Sequence, residues 1–155
     1  MTVIDDYRKT LKDLIKKYDV KSVLEIGVEK GISTQVFCDA GCEVKGLDIQ
    51  DLGYRHENLD FIKCGASEYL DKLERKPQFD MIYLDAFYTY ERLKYDVPIC
   101  WDLLRDGGII VFNEYIDFAN HRNGEIRKFV HEWANENMRL FTVYPLRNGF
   151  AVLEK

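Results

Sequence analysis

The sequence is poor in the residues that interrupt or staple a chain. Three prolines and ten glycines are spread over 155 residues, so no linker or low-complexity segment is expected. A chain of this length reads as one domain over 1–155. It can bury roughly 70% of the surface its unfolded form exposes, so it needs no disulfide or metal staple. Cysteine is scarce: Cys38, Cys42, Cys64 and Cys100 form no Cys-x-x-Cys pair and no Cys/His set with zinc spacing. They read as small buried hydrophobes in a reducing compartment. No apolar run is long enough to span a bilayer, which excludes a membrane partner of that kind. The opening stretch MTVIDDYRKTLKDLIKKYDV is amphipathic and carries acids, so it reads as neither signal nor transit peptide. A soluble, cytoplasmic protein is the expectation. Positive charge is also in deficit: 22 Lys and Arg against 27 Asp and Glu leave a net charge of -5. Nucleic acid is therefore a disfavoured partner, because neutralised phosphates supply most of that affinity.

What is present is an alternation of apolar strands with amphipathic helices. Ile4, Tyr7, Leu11, Leu14, Ile15 and Tyr18 recur at helical spacing and predict a helix over 4–18. Strands are expected at 22–28, 43–49, 60–64, 79–85 and 109–113. Helices are expected from Ser33, as N-cap, to Ala40, then over 67–73, 90–104 and 123–136. Pro98 is expected to kink or break the 90–104 helix, and Asp106-Gly-Gly108 reads as a turn. The last two strands, 140–144 and 150–153, are joined by a link too short for a parallel crossover, so they form an antiparallel hairpin. The predicted fold is α/β: a doubly wound, Rossmann-like, mainly parallel seven-stranded sheet with an antiparallel C-terminal hairpin.

In such sheets ligands bind beyond the carboxyl ends of the strands. Four segments end there. In Glu25-Ile-Gly27-Val-Glu29-Lys-Gly31, Gly27 lets the backbone approach a ligand and Gly31 turns the chain into a helix N-terminus. Asp48, about twenty residues on, suits the two hydroxyls of a ribose. Cys64-Gly-Ala-Ser67 suits an adenine ring, with helix capping an equal role for Ser67. Asp85, Asn113 and Glu114 converge after the fourth and fifth strands. Three roles stand open there: binding a hard cation such as Mg2+, attracting a positively charged cofactor, or capping helices.

Together VLEIGVEKGIST, the acid in VKGLDI, and FDMIYLDAFYTYERLKYDVPICWDLLRDGGIIVFNEY resemble class I S-adenosylmethionine-dependent methyltransferases. Within that superfamily the resemblance is to small-molecule O-methyltransferases with a strand-four "D-G-x-H-x-Y" motif. It runs from about Val20 to the end of the chain. It implies S-adenosylmethionine as cofactor, methyl transfer to oxygen, or less readily nitrogen, of a small-molecule acceptor, and compatibility with a homo-oligomer. It also implies cofactor contacts from Glu25, Gly27, Gly31, Ser33, Asp48, Ile49, Ala66, Ser67 and Asp85, and a metal set of Asp85, Asn113 and Glu114. Tyr88 stands where the family often has a basic histidine, and a phenol with a reference pKa of about 10 is a poor base at neutral pH. Glu114 and His121 are the other base candidates beside Asp85. These departures leave a cofactor-binding module of weak turnover as the competing expectation, and nucleic-acid methylation as a lesser one.

Overall fold

The computed structural model describes residues 7–115, 123–145 and 149–155. The elements follow in the order α1 (Tyr7–Lys17), β1 (Ser22–Ile26), α2 (Ile32–Asp39), β2 (Glu43–Asp48), β3 (Leu59–Lys63), α3 (Ala66–Lys72), β4 (Phe79–Leu84), α4 (Tyr90–Leu103), β5 (Leu104–Phe112), α5 (Asn123–Glu136), β6 (Phe141–Tyr144) and β7 (Phe150–Glu154). The strands form one seven-stranded sheet in the order β3-β2-β1-β4-β5-β7-β6. β1 to β5 pair in parallel, whereas β7 is antiparallel to both β5 and β6. The strand order reverses between β1 and β4, and that is where a crevice opens at the carboxyl edge.

Both faces of the sheet are covered. Leu11, Leu14 and Ile15 of α1 and Val36 and Phe37 of α2 pack on one face against Val23, Met81, Tyr83 and Val111. Leu70 of α3, Leu93 and Val97 of α4 and Phe129 and Val130 of α5 pack on the other, against Leu24, Ile82, Ile110 and Phe112. Alternate residues of one strand thus serve opposite cores, which is why 81–84 of β4 and 109–112 of β5 read as unbroken apolar runs.

Three local expectations are corrected. The N-cap of α2 is Gly31, not Ser33; Gly31 takes the left-handed conformation (φ 79°), and Ser33 lies inside the helix. α4 runs through Pro98, so of the expected kink or break the break does not occur. The Asp106-Gly-Gly turn lies inside β5: its pairing with β4 jumps from Phe79↔Leu104 to Met81↔Ile109, so 105–108 bulges out and Gly107 turns at φ 77°. No helix among the described residues is long and apolar enough to cross a membrane.

Candidate functional site

At the switch point lies a cavity of about 480 Å³, a size typical of small-molecule sites. Its wall brings together Gly27 and Glu29 after β1, Asp48 at the end of β2 and Ile49 after it, Ala66 at the start of α3, and Asp85 after β4. Five of the residues expected to bind a cofactor (Gly27, Asp48, Ile49, Ala66 and Asp85) therefore share one wall. Glu25, Gly31, Ser33 and Ser67 do not stand on it.

Those four hold the wall from behind. Glu25 is fully buried, and both its carboxylate oxygens are taken: Ser33 Oγ donates to one and Thr34 Oγ1 to the other, the latter at 2.6 Å. This ties β1 to the first turn of α2. Burial pushes the Glu25 carboxyl up to about 8, against the two hydroxyl bonds and with help from the charges of Asp85 and Asp48. Gly31 is required for space as well as for φ. A Cβ there would lie 2.2 Å from Cγ of Tyr54, whose ring packs over the loop. Tyr54 had no signal in the sequence, because its partner Gly31 belongs to a different loop. Ser67 Oγ donates to Asp96 Oδ1 at 2.8 Å.

Gly27 has a sharper role than a ligand's approach. Its φ is 99°, and a Cβ on it would sit 2.0 Å from the carbonyl oxygen of Asp85. The Asp85 amide in turn donates to Ile26 O at 2.8 Å. The β1 loop and the end of β4 are thus in backbone contact, and only a residue without Cβ permits it. Asp48 braces the opposite side: Oδ2 accepts from the Glu29 amide at 2.8 Å and Oδ1 from the Gln50 amide at 2.9 Å. Glu29 adopts φ 50°, outside the range most side chains favour, to present that amide. Each carboxylate oxygen has a second lone pair, so Asp48 keeps acceptor capacity toward the cavity.

Asp85 accepts from Asn113 Nδ2 at 2.6 Å. Burial raises its carboxyl to about 6, Asn113 opposes this, and the charges of Glu114 and Glu29 add to it. At neutral pH it is ionised, and with Glu29 and Asp48 it makes an acidic wall suited to a cationic ligand. The Mg2+ expectation meets a poor donor set. Asn113 turns its N–H toward Asp85, where a cation would need an oxygen, and no group of three or more His, Cys, Asp and Glu among the described residues is placed to hold an ion. Glu114 follows with φ 59°. Activity is expected to persist unchanged in excess chelator; a loss restored by Mg2+ would show that the donor set rearranges.

Tyr88 is a correction. It is buried among core residues rather than on the cavity wall, and its hydroxyl has no hydrogen-bond partner among the described residues. Burial drives its ionisation well above the ordinary tyrosine range, so it cannot serve as a base. His121 lies outside the described residues.

A family model described as a methyltransferase domain matches residues 24–115, more than half of the chain. The chain belongs to this methyltransferase family. The matched segment runs from β1 through the turn after β5 and so contains every described element of the cavity wall. Among curated proteins, the ribosomal RNA large subunit methyltransferase E of Thermoplasma acidophilum is 29% identical over 128 residues, covering 68% of this chain but only 62% of that relative. Among solved structures, an S-adenosylhomocysteine-bound methyltransferase of Podospora anserina aligns with a TM-score of 0.75 at 18% identity, covering 96% of this chain and 77% of that one. A putative O-methyltransferase of Klebsiella pneumoniae aligns with a TM-score of 0.74 at 20% identity, covering 99% and 81%. At such identities the structures establish a shared fold.

Proposed function

We propose that this methyltransferase domain transfers a methyl group from S-adenosylmethionine to an oxygen of a small-molecule acceptor. The observation that carries the reading is the cavity wall. An acid at the end of β2 (Asp48), an apolar flank (Ile49 and Ala66) and a half-buried acid after β4 (Asp85) line one cavity at the strand switch point. S-adenosylmethionine supplies the chemistry, since its sulfonium activates the methyl. The protein's own contribution is positioning and electrostatics. Asp48 accepts the ribose hydroxyls, Ile49 and Ala66 bracket the adenine, and ionised Asp85 faces the positive sulfonium. The tie of Glu25 to Ser33 and Thr34 fixes the helix end behind the methionine portion.

RNA as acceptor is the second reading, and the rRNA methyltransferase relative favours it. The acidic cavity wall and the net charge of -5 weigh against it. The assay is transfer of labelled methyl from S-adenosylmethionine to a panel of small phenols and, in parallel, to unmodified ribosomal RNA. Label in a phenol supports the proposal, and label in RNA alone replaces it with the second reading. Label in neither, with cofactor binding intact, favours a binding module.

A further inference from the structure

Asp96 is the buried charge that the proposed reaction leaves unexplained. It lies in α4 with none of its surface exposed. Oδ1 accepts from Ser67 at the start of α3. Oδ2 has no hydrogen-bond partner among the described residues and lies 3.7 Å from Arg92 Nε, one turn earlier. A buried carboxylate half paired in this way is costly.

Arg92 is fixed at both ends. Its backbone amide donates to the capping hydroxyl of Thr89 at 3.2 Å, and its side chain leans on Asp96. It also stands on the cavity wall with Gly65 and Ala66. Gly65 leaves that flank open: a Cβ there would meet nothing within 4 Å. Among the described residues, the other charged side chains on the wall, Glu29, Asp48 and Asp85, are acids. A purine offers ring-nitrogen acceptors and an electron-rich face, which acids cannot satisfy and a planar guanidinium can.

We infer that Arg92 holds the purine ring of the bound cofactor, and that Asp96 is the positioning residue that fixes its guanidinium. The inference rests on the S-adenosyl reading above. It explains why Asp96 is hydrogen-bonded to Ser67 and ion-paired with Arg92: the three side chains hold the start of α3 and the purine-binding arm in one arrangement.

The test is calorimetric titration of S-adenosylhomocysteine into the wild-type chain, Arg92→Met, Arg92→Lys and Asp96→Asn, with a melting curve for each. Arg92→Met is expected to weaken binding by about tenfold. Arg92→Lys should lose nearly as much, because an ammonium lacks the plane, yet melt close to wild type because it keeps a counter-charge for Asp96; Arg92→Met should also melt lower, because it leaves the buried Asp96 carboxylate unpaired, so the Lys variant separates lost affinity from lost stability. Asp96→Asn keeps the Ser67 bond and removes a buried charge, so affinity should fall about threefold while the melting temperature holds or rises; a purely structural Asp96 would lose stability and keep affinity. Wild-type binding with Arg92→Met within twofold of it overturns this inference alone. No binding by the wild type overturns the S-adenosyl reading and this inference together.

Discussion

Gly27→Ala is expected to destabilise the domain by about 2–5 kcal/mol, the sum of overpacking against fixed backbone and a left-handed φ for a residue with Cβ. The new methyl would fall 2.0 Å from the Asp85 carbonyl oxygen and 2.6 Å from its carbon, and neither is the movable end of a side chain. The only relief is to part the β1 loop from the end of β4. That would break the Asp85 amide to Ile26 carbonyl bond of 2.8 Å and shift the Asp85 carboxylate. At roughly 2–4 °C per kcal/mol for a domain of this size, the melting temperature should drop by about 10 °C. Gly41→Ala is the control. Gly41 has a similar φ of 85°, yet a Cβ there meets nothing within 4 Å, so only the backbone strain of about 1–2 kcal/mol applies. Equal melting temperatures for the two variants would contradict the proposed backbone contact.

Glu25→Gln is expected to have the opposite sign, growing as pH rises from about 4.5 to about 8. The Glu25 carboxyl sits at about 8 in the folded protein against an ordinary 4.5. The folded state therefore holds the proton more tightly than the unfolded state, and stability falls as pH rises from the unfolded value through the folded one. Asp85, raised from 3.8 to about 6, adds in the same direction between those two values. A shift of the Glu25 size is on the order of 3–5 kcal/mol once both values are passed. Gln keeps partners for Ser33 and Thr34 but cannot ionise. Urea denaturation should find Glu25→Gln close to wild type near pH 5 and several kcal/mol more stable near pH 8.5. A difference between the two that does not change with pH would show that Glu25 is solvated.

The β-α alternation, the parallel sheet and the terminal hairpin were legible because each rests on local pattern: apolar runs of strand length, helical spacing, and a link too short to cross over. Asp48, Ile49, Ala66 and Asp85 were legible for a related reason, since each directly ends a strand or begins a helix at the carboxyl edge. What stayed hidden depends on distant partners. Ser33 looks like a helix cap, but Glu25 on the neighbouring strand claims its hydroxyl and Gly31 takes the turn. Tyr88 sits in a site motif, yet its ring is drawn into the core with Leu93 and Val97. Arg92 and Asp96 look like an ordinary surface pair one turn apart, and only the packing of α4 on α3 buries one and turns the other to the cavity. The turn at Asp106-Gly-Gly is correctly marked by its glycines but absorbed into β5 as a bulge.

The central claim is that this cavity is built for the S-adenosyl group with Asp48 on its ribose. Titration calorimetry of S-adenosylhomocysteine into the wild-type chain and into Asp48→Ala tests it most directly. The expected result is saturable binding by the wild type and a loss of at least about tenfold, or 1.4 kcal/mol, in the variant. Wild-type protein that gives no heat with either S-adenosylhomocysteine or S-adenosylmethionine, or Asp48→Ala that binds as tightly as wild type, would contradict it.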